Sequence, residues 1–214
     1  MLTLASGGVF GWLFINREKL HAKWWEVLIV TLIHVVYGVL TVKFFALLEA
    51  GFDVAKAGNM SLFGGIFFMP LFYVAYALIK KLPFTLVFDI FTICLVGTLF
   101  FARINCLYAG CCIGMHIGDS AARWPTRGFE LLYDAIFMTF TLPWIYKNKS
   151  LGRAYPIYMM SYGLTRFISE WFRESTSSSP FHIGHIWAIV SMVVGGGLFA
   201  FLQIRLQKQE RKMA

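Results

Sequence analysis

A chain of 214 residues would ordinarily make one soluble domain, but 58% of this one is hydrophobic, 14% is charged and its mean hydropathy is +0.67. A soluble domain carries about 25% charged residues because its surface must be solvated, so these proportions exclude a soluble globule, a disordered chain and a fibrous repeat. The formal charge is +8, from 19 Lys and Arg against 11 Asp and Glu, and what it means depends on where the charges lie.

A membrane-spanning helix needs about 20 mostly apolar residues. Taken in chain order, the apolar stretches are 2–15, 24–48, 63–79, 84–102, 128–146, 154–172 and 186–204. The first is short, and its charges (Arg17, Lys19, Lys23) follow the apolar run. A signal peptide has the reverse order, so an N-terminal helix with its N-terminus outside is expected. Twelve basic residues then fall on one face. Arg17, Lys19 and Lys23 follow the first helix, Lys80 and Lys81 the third, and Lys147, Lys149 and Arg153 the fifth, while Arg205, Lys208, Arg211 and Lys212 form the tail. The positive-inside rule makes that face cytoplasmic.

The expected fold is therefore all-α: a polytopic integral membrane protein of seven transmembrane helices, N-terminus outside and C-terminus cytoplasmic. Residues 1–214 form a single transmembrane domain with a Cys-rich loop at about 103–127, re-entrant or extracytoplasmic, and a short basic tail at 205–214. Residues 175–179 read as a polar turn. This sorting of charge leaves no role for nucleic acid.

The other seven basic residues are Lys43, Lys56, Arg103, Arg123, Arg127, Arg166 and Arg173, all in the outer half, where the rule predicts depletion. An ionisable group within a span is expensive and reads by default as functional, with a partner to be named. In T-R-F-I-S-E-W-F-R-E, spacings of four and three put Arg166, Glu170 and Arg173 on one helical face. The fourth helix runs outward to Arg103, so guanidiniums are expected to meet near the outer surface. Such groups bind phosphate oxygens in bidentate fashion, which points to an anionic lipid headgroup. Glu130 and Asp134 share a face as counter-charges or a general base. Asp89 reads as a structural hydrogen-bonding group and His34 as core packing with a hydrogen bond.

The stretch R-I-N-C-L-Y-A-G-C-C-I-G-M-H gathers Cys106, Cys111, Cys112 and His116. That resembles a metal-ligand count, but C-x4-C-C-x3-H is not a standard zinc spacing, and there is no C-x-x-C. No metal and no cofactor is assigned from the sequence.

Four segments together, R-I-N-C-L-Y-A-G-C-C-I-G, P-T-R-G-F-E, R-F-I-S-E-W-F-R-E and I-G-H-I-W-A-I-V-S, resemble the bacterial prolipoprotein diacylglyceryl transferases over roughly residues 64–192. The resemblance implies an inner-membrane enzyme that moves the diacylglyceryl group of phosphatidylglycerol onto the thiol of a lipobox cysteine in a lipoprotein precursor, releasing glycerol phosphate. It assigns Arg103, Arg166 and Glu170 to the reaction, and Glu130, Arg173, Gly64, Gly65, Asn105 and Gly110 to substrate binding. The chain departs from the family pattern at four places. Phe63 stands where the family has a histidine, Cys111 where it has a glutamate, Cys106 where it has an asparagine, and His185 where it has a late glutamine. His185, Glu130 or a thiolate, Cys111 foremost, is then expected to replace the missing histidine as base or nucleophile. Two other readings stand beside this one: a non-catalytic lipid-binding scaffold on the same fold, motivated by Phe63, and a thiol-redox membrane enzyme, motivated by the cysteines.

Overall fold

The computed structural model describes residues 2–54, 60–174 and 181–213. Among them are seven helices: α1 (Leu2–Ile15), α2 (Trp24–Glu49), α3 (Phe63–Lys80), α4 (Phe84–Ala109), α5 (Thr126–Tyr146), α6 (Ala154–Glu170) and α7 (Ile183–Met213). The described residues contain no β-strand, only isolated bridges joining Gly114 to Arg173 and His116 to Arg123. Lys56 and the expected polar turn at 175–179 lie outside the described residues.

The helix boundaries correct the sequence reading in three places. Helix α4 continues past residue 102 to Ala109, carrying Arg103, Asn105 and Cys106 on helical backbone instead of in a loop. Helix α6 stops at Glu170, so Arg173 lies beyond the helix in a short extended contact with Gly114. Helix α7 runs unbroken to Met213, so the basic segment from residue 205 continues the helix instead of forming a loose tail.

Among the described residues, four helices are long and apolar enough to cross a membrane: α2, α3, α4 and the Ile183–Lys208 part of α7. Helix α1 is apolar but short, with 14 residues. Helices α5 and α6, of 21 and 17 residues, carry Glu130, Asp134, Arg166 and Glu170 on their buried sides. Exposure is inverted relative to a soluble protein. Leu32, Val36 and Leu40 of α2 and Leu132, Ile136 and Phe140 of α5 point outward, whereas Arg103, Glu130, Asp134 and Arg166 are buried. An apolar periphery around a polar interior is what a bilayer selects, since an ionised group is affordable only where protein surrounds it. The chain is an α-helical membrane protein.

Helix α4 is the centre of the bundle, packed against α1, α3, α5 and α6. Its apolar run Ile90–Val96 is buried without interruption. Helices α6 and α7 approach closely where Gly163 lies against the carbonyl of Ala188; a Cβ there would sit 2.7 Å from that oxygen. Small residues at such crossings replace the hydrophobic drive that lipid removes. His34 packs in the core, with its ring stacked on Tyr73 at 6.2 Å and edge-on to Phe72, but neither ring nitrogen makes the hydrogen bond expected of it.

The turns carrying the basic residues gather at one end of the bundle. Lys19 donates to the carbonyl of Tyr146 (3.1 Å) and to Asn148 Oδ1 (3.0 Å), tying the α1–α2 turn to the α5–α6 turn. Asp89 secures the same region. Its carboxylate accepts from the Ser150 hydroxyl (2.5 Å) and from the backbone N–H groups of Gly152 (2.7 Å) and Ala154 (3.2 Å), where α6 begins. Hydrogen bonds to a charged acceptor contribute about 1.5–3 kcal/mol each, and removing the acceptor strands the buried donors. Asp89→Ala should therefore lower stability by roughly 2 kcal/mol or more, read as a fall in the thermal unfolding midpoint in detergent. An unchanged midpoint would contradict this role.

Candidate active site

The charged residues that the sequence scatters over three helices meet in one place. Arg103 leaves the second half of α4, Glu130 the start of α5, and Arg166 and Glu170 the end of α6. Because α4 packs against both α5 and α6, these termini come together inside the bundle. Glu130 sits between two guanidiniums, with Oε2 against Arg103 Nη2 and Oε1 taking a 2.7 Å hydrogen bond from Arg166 Nη1. Arg166 Nη2 reaches Glu170 Oε2 at 2.7 Å, and Arg173 Nη1 lies 3.8 Å from the same oxygen. The result is an alternating chain, Arg103–Glu130–Arg166–Glu170–Arg173, holding three cations and two anions. Glu130 is thus a counter-charge, one of its two expected roles. Asp134 lies apart from the chain and accepts from the Tyr158 hydroxyl at 3.0 Å.

A cavity of about 570 Å³ opens beside this chain, with Arg103, Arg166, Glu170 and Arg173 in its wall together with Tyr162 and Cys112. Two buried donors on that wall have no protein partner, Arg103 Nε and the Tyr162 hydroxyl. Buried polar groups are normally satisfied, so these two donors stand out on a wall that also carries the carboxylates of Glu49 and Glu174. Phe63, at the family's histidine position, lines the same cavity. A second cavity, about 400 Å³ and lined almost wholly by apolar groups of α1 to α4, shares Met60 and Leu62 with the first. A polar space and an apolar space therefore adjoin.

The loop after α4 closes the cavity from one side. Gly110 caps α4 in the left-handed conformation (φ 68°), a backbone shape glycine adopts at little steric cost. The reversal folds residues 111–114 back over the helix end. There, Met115 N–H donates to the Phe172 carbonyl (2.9 Å) and Glu174 N–H to that of Ile113 (3.0 Å). Arg123 pairs with Glu174 at 2.6 Å, and Arg127 donates to the Cys106 carbonyl at 3.0 Å. Arg123 and Arg127 thus hold the loop to α4 and to the segment after α6. Cys112 is placed against the cavity, with its sulfur 3.1 Å from Arg173 Nη2 and 3.9 Å from Arg103 Nη1. The Cys106 thiol hydrogen bond, followed by the charges of Arg173 and Arg103, holds the Cys112 thiol well below its ordinary value, at about 5.

The other expected site residues are divided among the apolar cavity, the loop and the surrounding core. Cys111 does not line the cavity; its sulfur turns toward the Cys106 carbonyl at 3.8 Å, and Cys112 takes the place expected of it. His185 is fully buried, its ring packed among Phe167, Trp171 and Phe181 and its Nδ1 accepting the His182 N–H at 3.1 Å. Nearby His182 lines the cavity instead. Gly64 serves helix packing: a Cβ there would lie 2.2 Å from the Thr41 carbonyl oxygen of α2. Gly65 and Asn105 line the apolar cavity, and Gly110 shapes the loop.

Tyr162, Glu49 and His182 are among the cavity residues that the sequence reading missed. Tyr162 precedes Arg166 by four residues on the same face of α6, so its spacing was available as a signal. Glu49, at the end of α2, and His182 line the cavity through tertiary placement alone.

Comparisons with known proteins bear on the family. The family model described as prolipoprotein diacylglyceryl transferase matches residues 2–201. The chain belongs to that family. Its relatives include a phosphatidylglycerol–prolipoprotein diacylglyceryl transferase 2 of Clostridium perfringens, 31% identical over 47% of this chain and 45% of that protein. Enzymes of the same name from Clostridium tetani and a Polaromonas species are 27% and 30% identical, over 51% and 37% of this chain and 49% and 30% of theirs. The chain thus spans about half or less of the curated relatives it matches.

Removing one member of a buried ion-pair network leaves an uncompensated charge, at a cost of about 3–5 kcal/mol. Glu130→Gln, which leaves Arg103 without a carboxylate and Arg166 with Glu170 alone, should destabilise the protein on that scale, whereas Glu174→Gln at the exposed rim should cost less than about 1 kcal/mol. Unfolding midpoints of the two variants in the same detergent check this; equal losses would contradict the central place given to Glu130.

Proposed function

We propose that the protein is a bacterial inner-membrane transferase that moves a diacylglyceryl group from an anionic phospholipid, phosphatidylglycerol by analogy with its relatives, to an acceptor thiol such as a lipobox cysteine. The observation that carries the reading is the cation in excess in the buried Arg–Glu chain, set beside unused donors on a cavity that adjoins an apolar one. The lipid phosphate would take up the free hydrogen-bonding capacity of Arg103, Arg173 and Tyr162. The acyl chains would occupy the apolar cavity.

In the reaction, the acceptor sulfur attacks the glyceryl carbon that bears the phosphate ester. A C–S bond forms, the C–O bond breaks, and glycerol phosphate leaves with the electron pair. Negative charge on the leaving group is then offset by guanidiniums already in place, which is how preorganised charge lowers a barrier. With Phe63 unable to carry a proton, Glu49 and His182 are the cavity groups suited to take the proton of the thiol. Arg166 is oriented by Glu130 and Glu170. The whole chain acts as one multi-pass domain, with the basic turns on the cytoplasmic side and the loop around Cys106–Cys112 on the outer side. A Cβ at position 184 would sit 2.7 Å from the Glu170 carboxyl carbon, so Gly184 leaves that side chain its present place beside Arg166.

Incubation of purified protein with labelled phosphatidylglycerol and a lipobox peptide tests the reading. Label should pass to the peptide. Arg103→Ala and Arg166→Ala should each reduce transfer by about 100-fold or more, and Tyr162→Phe by about tenfold. Transfer unchanged in the arginine variants would refute the site. The presence of Phe63 favours one second reading, a lipid-binding scaffold; tight lipid binding with no transfer to any thiol would support it against the enzyme.

A further inference from the structure

The loop after α4 has a property that phosphate binding does not require. Cys106 lies in the last turn of α4, and the left-handed Gly110 turns the chain back so that Cys111 and Cys112 return over it. The three sulfurs lie within 4.8 Å of one another. Cys112 itself adopts a left-handed backbone (φ 59°). That conformation is unfavourable for a residue with a side chain, and it is kept where the surrounding structure holds it in place. Sequence spacing hides this cluster, because five- and six-residue separations across a helix end match no standard zinc pattern. His116, which completed the apparent ligand count in the sequence, hydrogen-bonds through Nδ1 to the Ser120 carbonyl at 3.1 Å and is not part of the group.

We propose that Cys106, Cys111 and Cys112 bind one thiophilic d10 metal ion of the zinc class, with one coordination position open toward the cavity that Cys112 lines. Soft thiolates select such ions, and three protein ligands with a vacant fourth position are the arrangement of zinc sites that accept an exogenous ligand. Three thiolates and a divalent ion carry a net negative charge. Arg173 and Arg103, both in contact with Cys112, offset it and hold that sulfur in the orientation a second shell provides. The ligand class suited to the open position is another thiolate. Resting on the transferase reading, this gives the incoming acceptor thiol a place to bind, its proton passing to a cavity base as the metal–sulfur bond forms. It would supply thiol activation where the family histidine is replaced by Phe63.

The test is direct metal binding by the full chain, purified in detergent under reducing, anaerobic conditions. Titration with Co²⁺ as a spectroscopic stand-in should give sulfur-to-cobalt charge-transfer bands that saturate at one equivalent, and Zn²⁺ should displace them. Cys106→Ser, Cys111→Ser and Cys112→Ser should each weaken binding on the order of tenfold or more, and Arg173→Gln about tenfold; Cys94→Ser should leave it unchanged. One equivalent of Zn²⁺ should also slow alkylation of the loop thiols of the unaltered protein by about tenfold or more, which keeps the proposal testable if a serine variant fails to fold. Absence of the sulfur bands, binding that survives in the triple serine variant, or alkylation rates indifferent to Zn²⁺ would each overturn it. The outcome is separable from that of the transferase reading. Lipid transfer by a protein that binds no metal refutes the metal site alone, and metal binding without transfer refutes the transferase alone.

Discussion

The organising interaction is Glu130 held between Arg103 and Arg166. In a bundle whose outer surface is apolar, an unpaired guanidinium would be prohibitive, so Arg103 on α4 and Arg166 on α6 can be buried only if a carboxylate from α5 lies between them. That requirement fixes how three helices end relative to one another. It also leaves a remainder: Glu170 continues the alternation to Arg173, and the chain of charges closes with one cation more than it has anions. Stability and function pull in different directions here. A network built only for stability would be neutral and fully hydrogen-bonded, whereas this one keeps unused donors on Arg103 and Tyr162 beside a cavity.

Structure-wide features serve that site. Asp89 anchors the start of α6 at the far end of the bundle, Gly163 lets α6 and α7 touch, and the loop from Gly110 to Pro125 is tied by Arg123 and Arg127 against the open end. The loop brings the cysteines to the cavity, where Cys112 meets two of the arginines. Phe63 on the cavity wall removes the proton-transfer group expected from the family pattern. Glu49, His182 and the thiol cluster are the chemistry that stands nearby.

Much of this was legible in the sequence because a membrane simplifies the signal. Apolar runs gave the seven helices, and ionisable residues inside those runs marked Arg103, Glu130, Arg166 and Glu170, which the structure brings together. Helix ends were less legible. Hydropathy falls at Arg103 although α4 continues to Ala109, because hydrogen bonding does not stop where polarity begins. Arg173 fits the face of α6 by spacing, yet the helix ends at Glu170 and a pairing with Gly114, remote in sequence, positions it. The same limit explains the cysteines. Cys111 and Cys112 are adjacent, and which of the two faces the cavity is decided by left-handed backbone at Gly110 and Cys112, which no periodicity reports. His185 was a reasonable candidate by type and location, but aromatic side chains from α6 and the segment before α7 enclose it.

A structure of the protein bound to phosphatidylglycerol tests the central claim most directly. The account predicts the phosphate within about 3 Å of the guanidinium nitrogens of Arg103 or Arg173, with the acyl chains running into the apolar cavity that shares Met60 and Leu62. A headgroup bound instead among the basic turns around Lys19, Lys80 and Arg153, with the Arg103–Glu130–Arg166 chain untouched, would contradict it.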